Sequence, residues 1–152
     1  MKSNHFNEIQ QKVLGAYMED PDAFINCQHL VSANIFSKGV YQDCYKLIKG
    51  YHLKGVQPDL QILFSAAKKL GHSNEECSVI PTFLNQYLSG AQVVEYVCIL
   101  FNDYARRYLL PKISRLSAQL EEESCSVPDV ISGAKDAIIT VELALNGISK
   151  NK

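Results

Sequence analysis

The sequence predicts an all-α fold, with a small globular head of about five helices followed by a long antiparallel helical hairpin. Apolar residues recur at spacings of three and four along almost the whole chain, which marks one buried face of an α-helix. In the last third this pattern runs without a convincing stop from Gln92 to near Glu123, about 48 Å of helix, and resumes until Ile148. We place the head in residues 1–91, the hairpin in residues 92–148, and a tail or the start of a linker in residues 149–152.

Proline, glycine and capping residues mark the predicted ends of the helices in the head. In chain order these helices cover about residues 7–19, 22–31, 36–55, 58–71 and 81–90, with a polar loop over residues 72–79. Pro58 and Asp59 suit a first helical turn, and Gly71 suits the position after a helix end. Gly15 lies inside the first helix, where it costs about 1 kcal/mol relative to alanine. A close approach of another helix at Gly15 would offset that cost.

The final helix carries the most regular periodicity in the chain. After a turn at residues 124–126, its apolar positions alternate steps of four and three, which is the spacing of a coiled-coil seam. We predict these positions as a dimer interface: Val127, Ile131, Ala134, Ile138, Val141 and Leu145. Further apolar residues of this helix lie outside the seam. One apolar stripe can face the other arm of the hairpin, and the remaining apolar residues must then pack on the head or on a second chain. Pro111 should kink or split the preceding long helix.

Composition favours an intracellular protein without a strong DNA-binding surface. Fifteen basic and sixteen acidic residues give a net charge of −1 and form no basic block, so little or no direct binding of nucleic acid is expected. The five cysteines form no Cys-x-x-Cys pair, which favours free thiols in a reducing cytoplasm. The first twelve residues lack the apolar region of a signal peptide, and no apolar run is long enough to span a membrane.

No catalytic, cofactor-binding or metal-binding motif is found. Gly50 and Gly55 have the glycine spacing of a phosphate-binding loop, but the required Lys and Ser or Thr do not follow. The four histidines are scattered and form no ligand pair. The acidic cluster of residues 121–123 reads as a solvated hairpin tip. Arg106 and Arg107 could contact nucleic acid or a protein together with nearby tyrosines, but an ion pair with Asp103 or a contact with the head is favoured.

An ordered set of short motifs resembles the N-terminal domain of DnaB-type replicative helicases over about residues 7–148. The residues that carry the resemblance are Val13-Leu14-Gly15, Phe36, Gly55, Pro58-Asp59, Gly71, Phe83-Leu84, Tyr96 and Arg107. The sequence departs from the family pattern at Gln10, where an acidic residue is usual, at residues 41–43, where a histidine is frequent, and at residues 78–82, where a Gly-Gly pair is usual. Pro111 is also unusual. These departures indicate a divergent branch, for example from a phage or mobile element.

The resemblance implies a non-catalytic module of a replicative helicase. In that family the domain pairs through its hairpin, three pairs form a collar on a hexameric ring, and the collar docks the helicase-binding domain of primase. ATP and Mg²⁺ belong to a separate, downstream ATPase domain, so no cofactor is expected here. Two alternatives remain at this point. One is a free-standing helical adaptor or regulator that binds a helicase or primase, and the other is a small helical enzyme or ligand carrier.

Overall fold

The computed structural model describes residues 4–85, 88–122 and 126–150, and in these ranges it contains helices and no β-strand, which confirms the all-α prediction. The α-helices are α1 (Asn4–Glu19), α2 (Val40–Leu53), α3 (Leu60–Lys69), α4 (Asn74–Cys77), α5 (Gly90–Glu121) and α6 (Val127–Lys150). Short 3₁₀ turns connect them at Pro21–Phe24, Gln28–Leu30, Ala33–Ile35 and Ile80–Asn85. Among the described residues, no helix is both long and apolar enough to cross a lipid bilayer.

Two helices that the sequence predicts in the head are 3₁₀ turns instead. The segment predicted as a helix over residues 22–31 buries Phe24, Cys27 and Leu30, which are spaced by three. The 3₁₀ segment Ile80–Asn85, at the start of the helix predicted after Pro81, likewise buries Ile80 and Phe83. A spacing of three without intervening steps of four fits the three residues per turn of a 3₁₀ helix, whereas an α-helix would turn part of the set away from the core.

Two capping boxes give the segment 73–92 a different organisation from the prediction. Ser73 accepts a hydrogen bond from the backbone N–H of Glu76, whose side chain accepts one from the N–H of Ser73, and these bonds start the short helix α4 inside the predicted loop. Ser89 and Gln92 form the same pair at the start of α5. Gly90 is therefore the first residue of α5 and not the stop of a preceding helix.

The core of the head forms where α1 crosses the segment Ile80–Asn85. A Cβ atom added at Gly15 would lie 1.8 Å from the carbonyl oxygen of Phe83, so only glycine permits this approach. A close approach at Gly15 is thus present, although a 3₁₀ turn makes it and not an α-helix, and it joins two of the motifs that carry the resemblance. Side chains that are essentially fully buried include Leu14, Met18, Phe24, Leu30, Ile35, Phe36, Ile48, Leu63, Ile80, Phe83 and Leu100.

The long helix α5 continues through Pro111 without a break. Proline removes one internal hydrogen bond and contacts the preceding turn; the side chain of Pro111 is exposed, and the residues on both sides of it are helical. Pro111 therefore does not split α5. The other arm of the hairpin, α6, packs along α5 and also contacts the head at Gln28–Leu30. Part of the hairpin's apolar surface is thereby covered by its own chain.

Candidate self-association surface on the helical hairpin

The two arms of the hairpin meet across a narrow cleft of about 380 Å³. On α5 the cleft is lined by Lys112, Arg115, Leu116, Gln119 and Glu122, and on α6 by Ser126, Asp129, Val130 and Gly133. Val130 is buried here, and a Cβ atom added at Gly133 would lie 3.7 Å from Cδ2 of Leu116. Gly133 therefore lies beside Leu116, at a distance where a Cβ atom would make an ordinary van der Waals contact.

The described side chains of the predicted α6 seam do not line this cleft. Val127, Ile131 and Ile138 are each about half exposed, at 49%, 49% and 50%, and Ala134 between them is half-buried. The side chains of Val141 and Leu145 lie outside the described part of the structure. Val130, which the sequence placed in the surplus, is the residue that packs against α5.

The helix α5 contributes apolar side chains to the same side of the hairpin. Each cleft-lining residue is followed by a residue about 100° further around its helix. Because the two arms run in opposite directions, these following positions turn towards one common side. On α5 they include Ile113 and Leu120, which are 55% and 53% exposed. We call the set Ile113, Leu120, Val127, Ile131 and Ile138 the hairpin face.

The α5 half of the hairpin face was missed at the level of sequence. In the sequence, Leu109, Ile113, Leu116 and Leu120 step by four, three and four, which is the spacing of one helix face. In the structure Leu116 turns into the cleft, whereas Ile113 and Leu120 turn outward. The register between the two arms decides which of these side chains turn inward and which turn outward. This register depends on the position of the turn and of Gly133.

The base of the hairpin is fixed to the head by Arg107. Its Nε donates a hydrogen bond of 2.7 Å to the carboxylate of Asp103, and its Nη2 donates one of 3.3 Å to the backbone carbonyl of Asn34. The predicted ion pair with Asp103 and the predicted contact with the head are therefore both present for Arg107. Arg106 is exposed and lines a shallow groove on the outside of α5.

The remaining family-motif residues have structural positions in the head. Gly55 and Gly71 have φ angles of +73° and +100°, which a residue with a side chain rarely adopts, and they follow the ends of α2 and α3. Asp59 accepts a 2.7 Å hydrogen bond from the N–H of Ile62 as the N-cap of α3, so Pro58 precedes this helix and does not lie in its first turn. Phe36 is buried and stacks on Tyr45.

Gln10 is the one polar side chain among the described residues that is both in the core and fully buried. Its Oε1 accepts a 2.7 Å hydrogen bond from the backbone N–H of Ser37, and its Nε2 donates to Oδ1 of Asn7 at 3.3 Å. Gln10 thus holds the chain that leads into α2 against α1. An acceptor oxygen at position 10 is sufficient for this contact, so the amide can replace the acidic residue that is usual in the family.

The described residues hold no cluster of three or more His, Cys, Asp or Glu side chains that could bind a metal ion. The thiols of Cys27 and Cys44 are buried, and this burial raises the pKa of Cys27 to about 11 and that of Cys44 to about 12. Such thiols are poor nucleophiles and poor metal ligands at neutral pH. Cys125 lies outside the described residues.

His72 lies close to carboxylates of two helices of the head. Its Nε2 lies 2.6 Å from Oδ2 of Asp43 on α2, and its Nδ1 lies 3.4 Å from Oε2 of Glu76 on α4. The hydrogen bond with Asp43 raises the pKa of His72 above its usual value, against the opposing effect of burial. This arrangement ties α4 to α2, which is a structural role.

A comparison with known protein families identifies the head and the base of the hairpin. The family model of the DnaB-like helicase N-terminal domain matches residues 2–102. The chain belongs to the DnaB-like helicase N-terminal domain family. No curated protein matches the sequence. The family match includes every motif from Val13-Leu14-Gly15 to Tyr96 that the sequence resemblance used, whereas Arg107 and most of the hairpin lie beyond it.

Proposed function

We propose that this DnaB-like domain is a non-catalytic assembly module of a replicative DNA helicase, which pairs with a second copy through the hairpin face and docks primase within the assembled collar. The observation that supports pairing is the exposure of five large aliphatic side chains on one side of the hairpin. Contiguous apolar surface of this kind usually marks an interaction site.

The hairpin face is large enough to matter energetically. Full burial of a Leu, Ile or Val side chain is worth about 1.5–3 kcal/mol, and about half of each of these five side chains remains to be buried. Two copies therefore gain about 10 kcal/mol from apolar burial. Association costs about 4–15 kcal/mol in lost freedom of motion, which is comparable with this gain. We therefore expect at most a dimer of moderate affinity, strengthened where a helicase ring holds the domains together.

The module requires neither ATP nor Mg²⁺ for this role, because ATP hydrolysis belongs to the ATPase domain of such helicases. The proposed partners are a second copy of the chain, further copies in a hexamer, and the helicase-binding domain of primase. The second candidate function is a free-standing adaptor that uses the same fold. It is favoured by the departures from the family pattern at residues 78–82 and at Pro111.

Substitution of Ile138 tests the pairing. Ile138→Asp and Ile131→Asp should each convert a concentration-dependent dimer into a folded monomer, since each places an uncompensated carboxylate in the interface at two symmetric positions. We expect the dissociation constant to rise by at least about 100-fold. Light scattering coupled to gel filtration measures the mass, and circular dichroism checks that the variants remain helical.

The matched control is Leu53→Asp, at a leucine of α2 that is 79% exposed and lies outside the hairpin. It introduces the same charge and should leave the dimer intact. A monomer at every concentration, or a dimer that persists in both hairpin variants, contradicts the proposal. Titration with the helicase-binding domain of the cognate primase then tests docking. Absence of binding by a domain that forms the dimer would contradict the proposed docking of primase.

A further inference from the structure

A groove with an apolar floor runs between α2 and α3 on the surface of the head, and it has a volume of about 400 Å³. Ile62 and Leu70 of this region are 41% and 57% exposed, whereas the neighbouring stripe of Leu63 and Ala67 is fully buried. α3 therefore carries a second apolar stripe, which remains accessible to solvent. The apolar side chains that line the groove are Leu47, Tyr51, Ile62, Ala66 and Leu70.

The spacing of this second stripe suits a helical partner. Ile62, Ala66 and Leu70 follow one another at steps of four, so they lie along one side of α3 over about 12 Å. Because α2 and α3 satisfy their backbone groups internally, as helices do, an extended strand has no edge to pair with. A partner must therefore bring apolar side chains, and an amphipathic helix presents them at matching intervals along a groove.

The surface formed by α2 and α3 is positively charged, although the chain as a whole is not. Residues 40–70 contain five lysines and two aspartates, whereas the net charge of the whole chain is −1. Both aspartates have partners within the head. The carboxylate of Asp43 lies 2.6 Å from Nε2 of His72, and that of Asp59 caps the N-terminus of α3. The charge that α2 and α3 offer to a partner is therefore that of their lysines.

Two of these lysines flank the groove, and both are exposed. Lys69 lines the groove directly. Lys54 follows Leu47 by seven residues, which complete almost two helical turns, so it lies on the same side of α2. Opposite charges across an interface favour binding and like charges weaken it, so the groove favours an acidic partner over a basic one.

We infer that the groove between α2 and α3 binds an amphipathic helix of another protein, which packs an apolar face on Ile62, Ala66 and Leu70 and places acidic residues beside Lys54 and Lys69. The site is separate from the hairpin face and does not depend on pairing. The apolar floor favours such a helix over nucleic acid, whose binding requires many contacts between cations and phosphates.

Selection from a phage-displayed library of helical peptides tests this inference. Each peptide has about four helical turns, with apolar residues along one face and a random choice of Glu, Gln or Lys at the other positions. Selection on the whole protein at physiological salt should enrich Glu over Lys beside the apolar face, because of the two lysines at the groove. The affinity of synthetic copies of the enriched peptides is then measured by fluorescence anisotropy.

Ala66→Arg separates docking in the groove from simple attraction between charges. The new side chain fills the middle of the groove and also adds a positive charge. It should therefore raise the dissociation constant of an acidic peptide at least about 10-fold, whereas attraction between charges alone would lower it. Arginine has nearly the helix propensity of alanine, and circular dichroism checks the fold. Ile62→Gln, which removes one apolar contact without adding charge, should also weaken binding.

Lys69→Gln and Lys49→Gln form a matched pair of variants. Each removes one exposed positive charge, but Lys49 lies on another side of α2, at a cleft that it forms with Tyr17 and Pro21. Lys69→Gln should raise the dissociation constant of the peptide about 2- to 5-fold, and Lys49→Gln should change it little.

Enrichment of Lys, no enrichment at all, or peptide binding that Ala66→Arg leaves unchanged or tightens would overturn the inference. Light scattering of Ala66→Arg examines the remaining occupant of the groove. A loss of self-association in this variant would assign the groove to a second copy of the chain, and so would also overturn the assignment to another protein. Pairing through the hairpin face is tested separately by Ile138→Asp, and none of these outcomes decides it.

Discussion

Gly15→Ala tests how the head is packed. The added Cβ atom would lie 1.8 Å from the carbonyl oxygen and 2.6 Å from the carbonyl carbon of Phe83. Since real Cβ contacts are essentially never closer than 3.0 Å, the segment Ile80–Asn85 must retreat from α1 by more than an ångström. Both contacting atoms belong to the backbone, so no rotation of a side chain can relieve the clash.

The expected cost follows from what this retreat uncovers. The side chains of Ile80 and Phe83, both in this segment, are fully buried. Burial of each stabilises the fold by about 1.5–3 kcal/mol. Partial loss of the burial of these two side chains, together with backbone strain at the contact, destabilises the fold. The better helix propensity of alanine returns about 1 kcal/mol. We expect a net destabilisation of about 3 kcal/mol. Urea unfolding followed by circular dichroism measures this difference.

The matched control is Gly50→Ala in α2. A Cβ atom added at Gly50 meets nothing within 4 Å, so alanine should stabilise the protein by up to about 1 kcal/mol. The two identical substitutions are therefore expected to have opposite signs. Equal effects, or a Gly15→Ala variant within about 0.5 kcal/mol of the parent, would refute the packing of α1 on Phe83.

Three further predictions concern ionisation, thiol reactivity and charge. Because the pKa of His72 is raised by Asp43, the contact stabilises the fold at pH values below the unfolded pKa of about 6.5, and this contribution is lost as the pH rises through the folded pKa. The difference in urea midpoint between the parent and His72→Gln should therefore shrink from pH 5.5 to pH 8.5, and a constant difference would contradict the contact. Cys27 and Cys44 should resist alkylation at pH 8 in the native protein, since burial raises the pKa of each thiol. Mass spectrometry detects the adducts, and rapid modification of either thiol under native conditions would show that the core is open. Binding to single-stranded DNA should be weak at physiological salt, given the net charge of −1, and salt-resistant micromolar binding in fluorescence anisotropy would contradict this expectation.

Much of the fold could be predicted from the spacing of apolar residues and from the residues that start or end helices. The bounds of α1, α3 and α5 follow from apolar periodicity and from residues such as Asp59 and Gly71, whose capping roles depend only on local geometry. The 3₁₀ turns could not be separated from short α-helices, since Phe24, Cys27 and Leu30 satisfy the i, i+3 part of either pattern. The short helix α4 was missed because its capping box, Ser73 and Glu76, lies within a polar stretch that has no apolar stripe.

The candidate site was only partly predictable. Periodicity identified the α6 residues of the hairpin face, but it could not say which stripe turns towards α5. That choice depends on the register between the arms, which places Gly133 against Leu116. The exposure of Ile113 and Leu120 follows from the same register, so it becomes evident only once both arms are in place.

Site-specific photocrosslinking measures pairing through the hairpin face most directly. Ser117 is exposed and lies on this side of α5, between Ile113 and Leu120, so p-benzoylphenylalanine at position 117 would sample the interface. Mixing ¹⁵N-labelled and unlabelled copies separates crosslinks between chains from those within a chain. Pairing through the hairpin face predicts crosslinks between chains to the hairpin of the second copy. Crosslinks confined to one chain, or directed to the α2–α3 side of the second head, would contradict it.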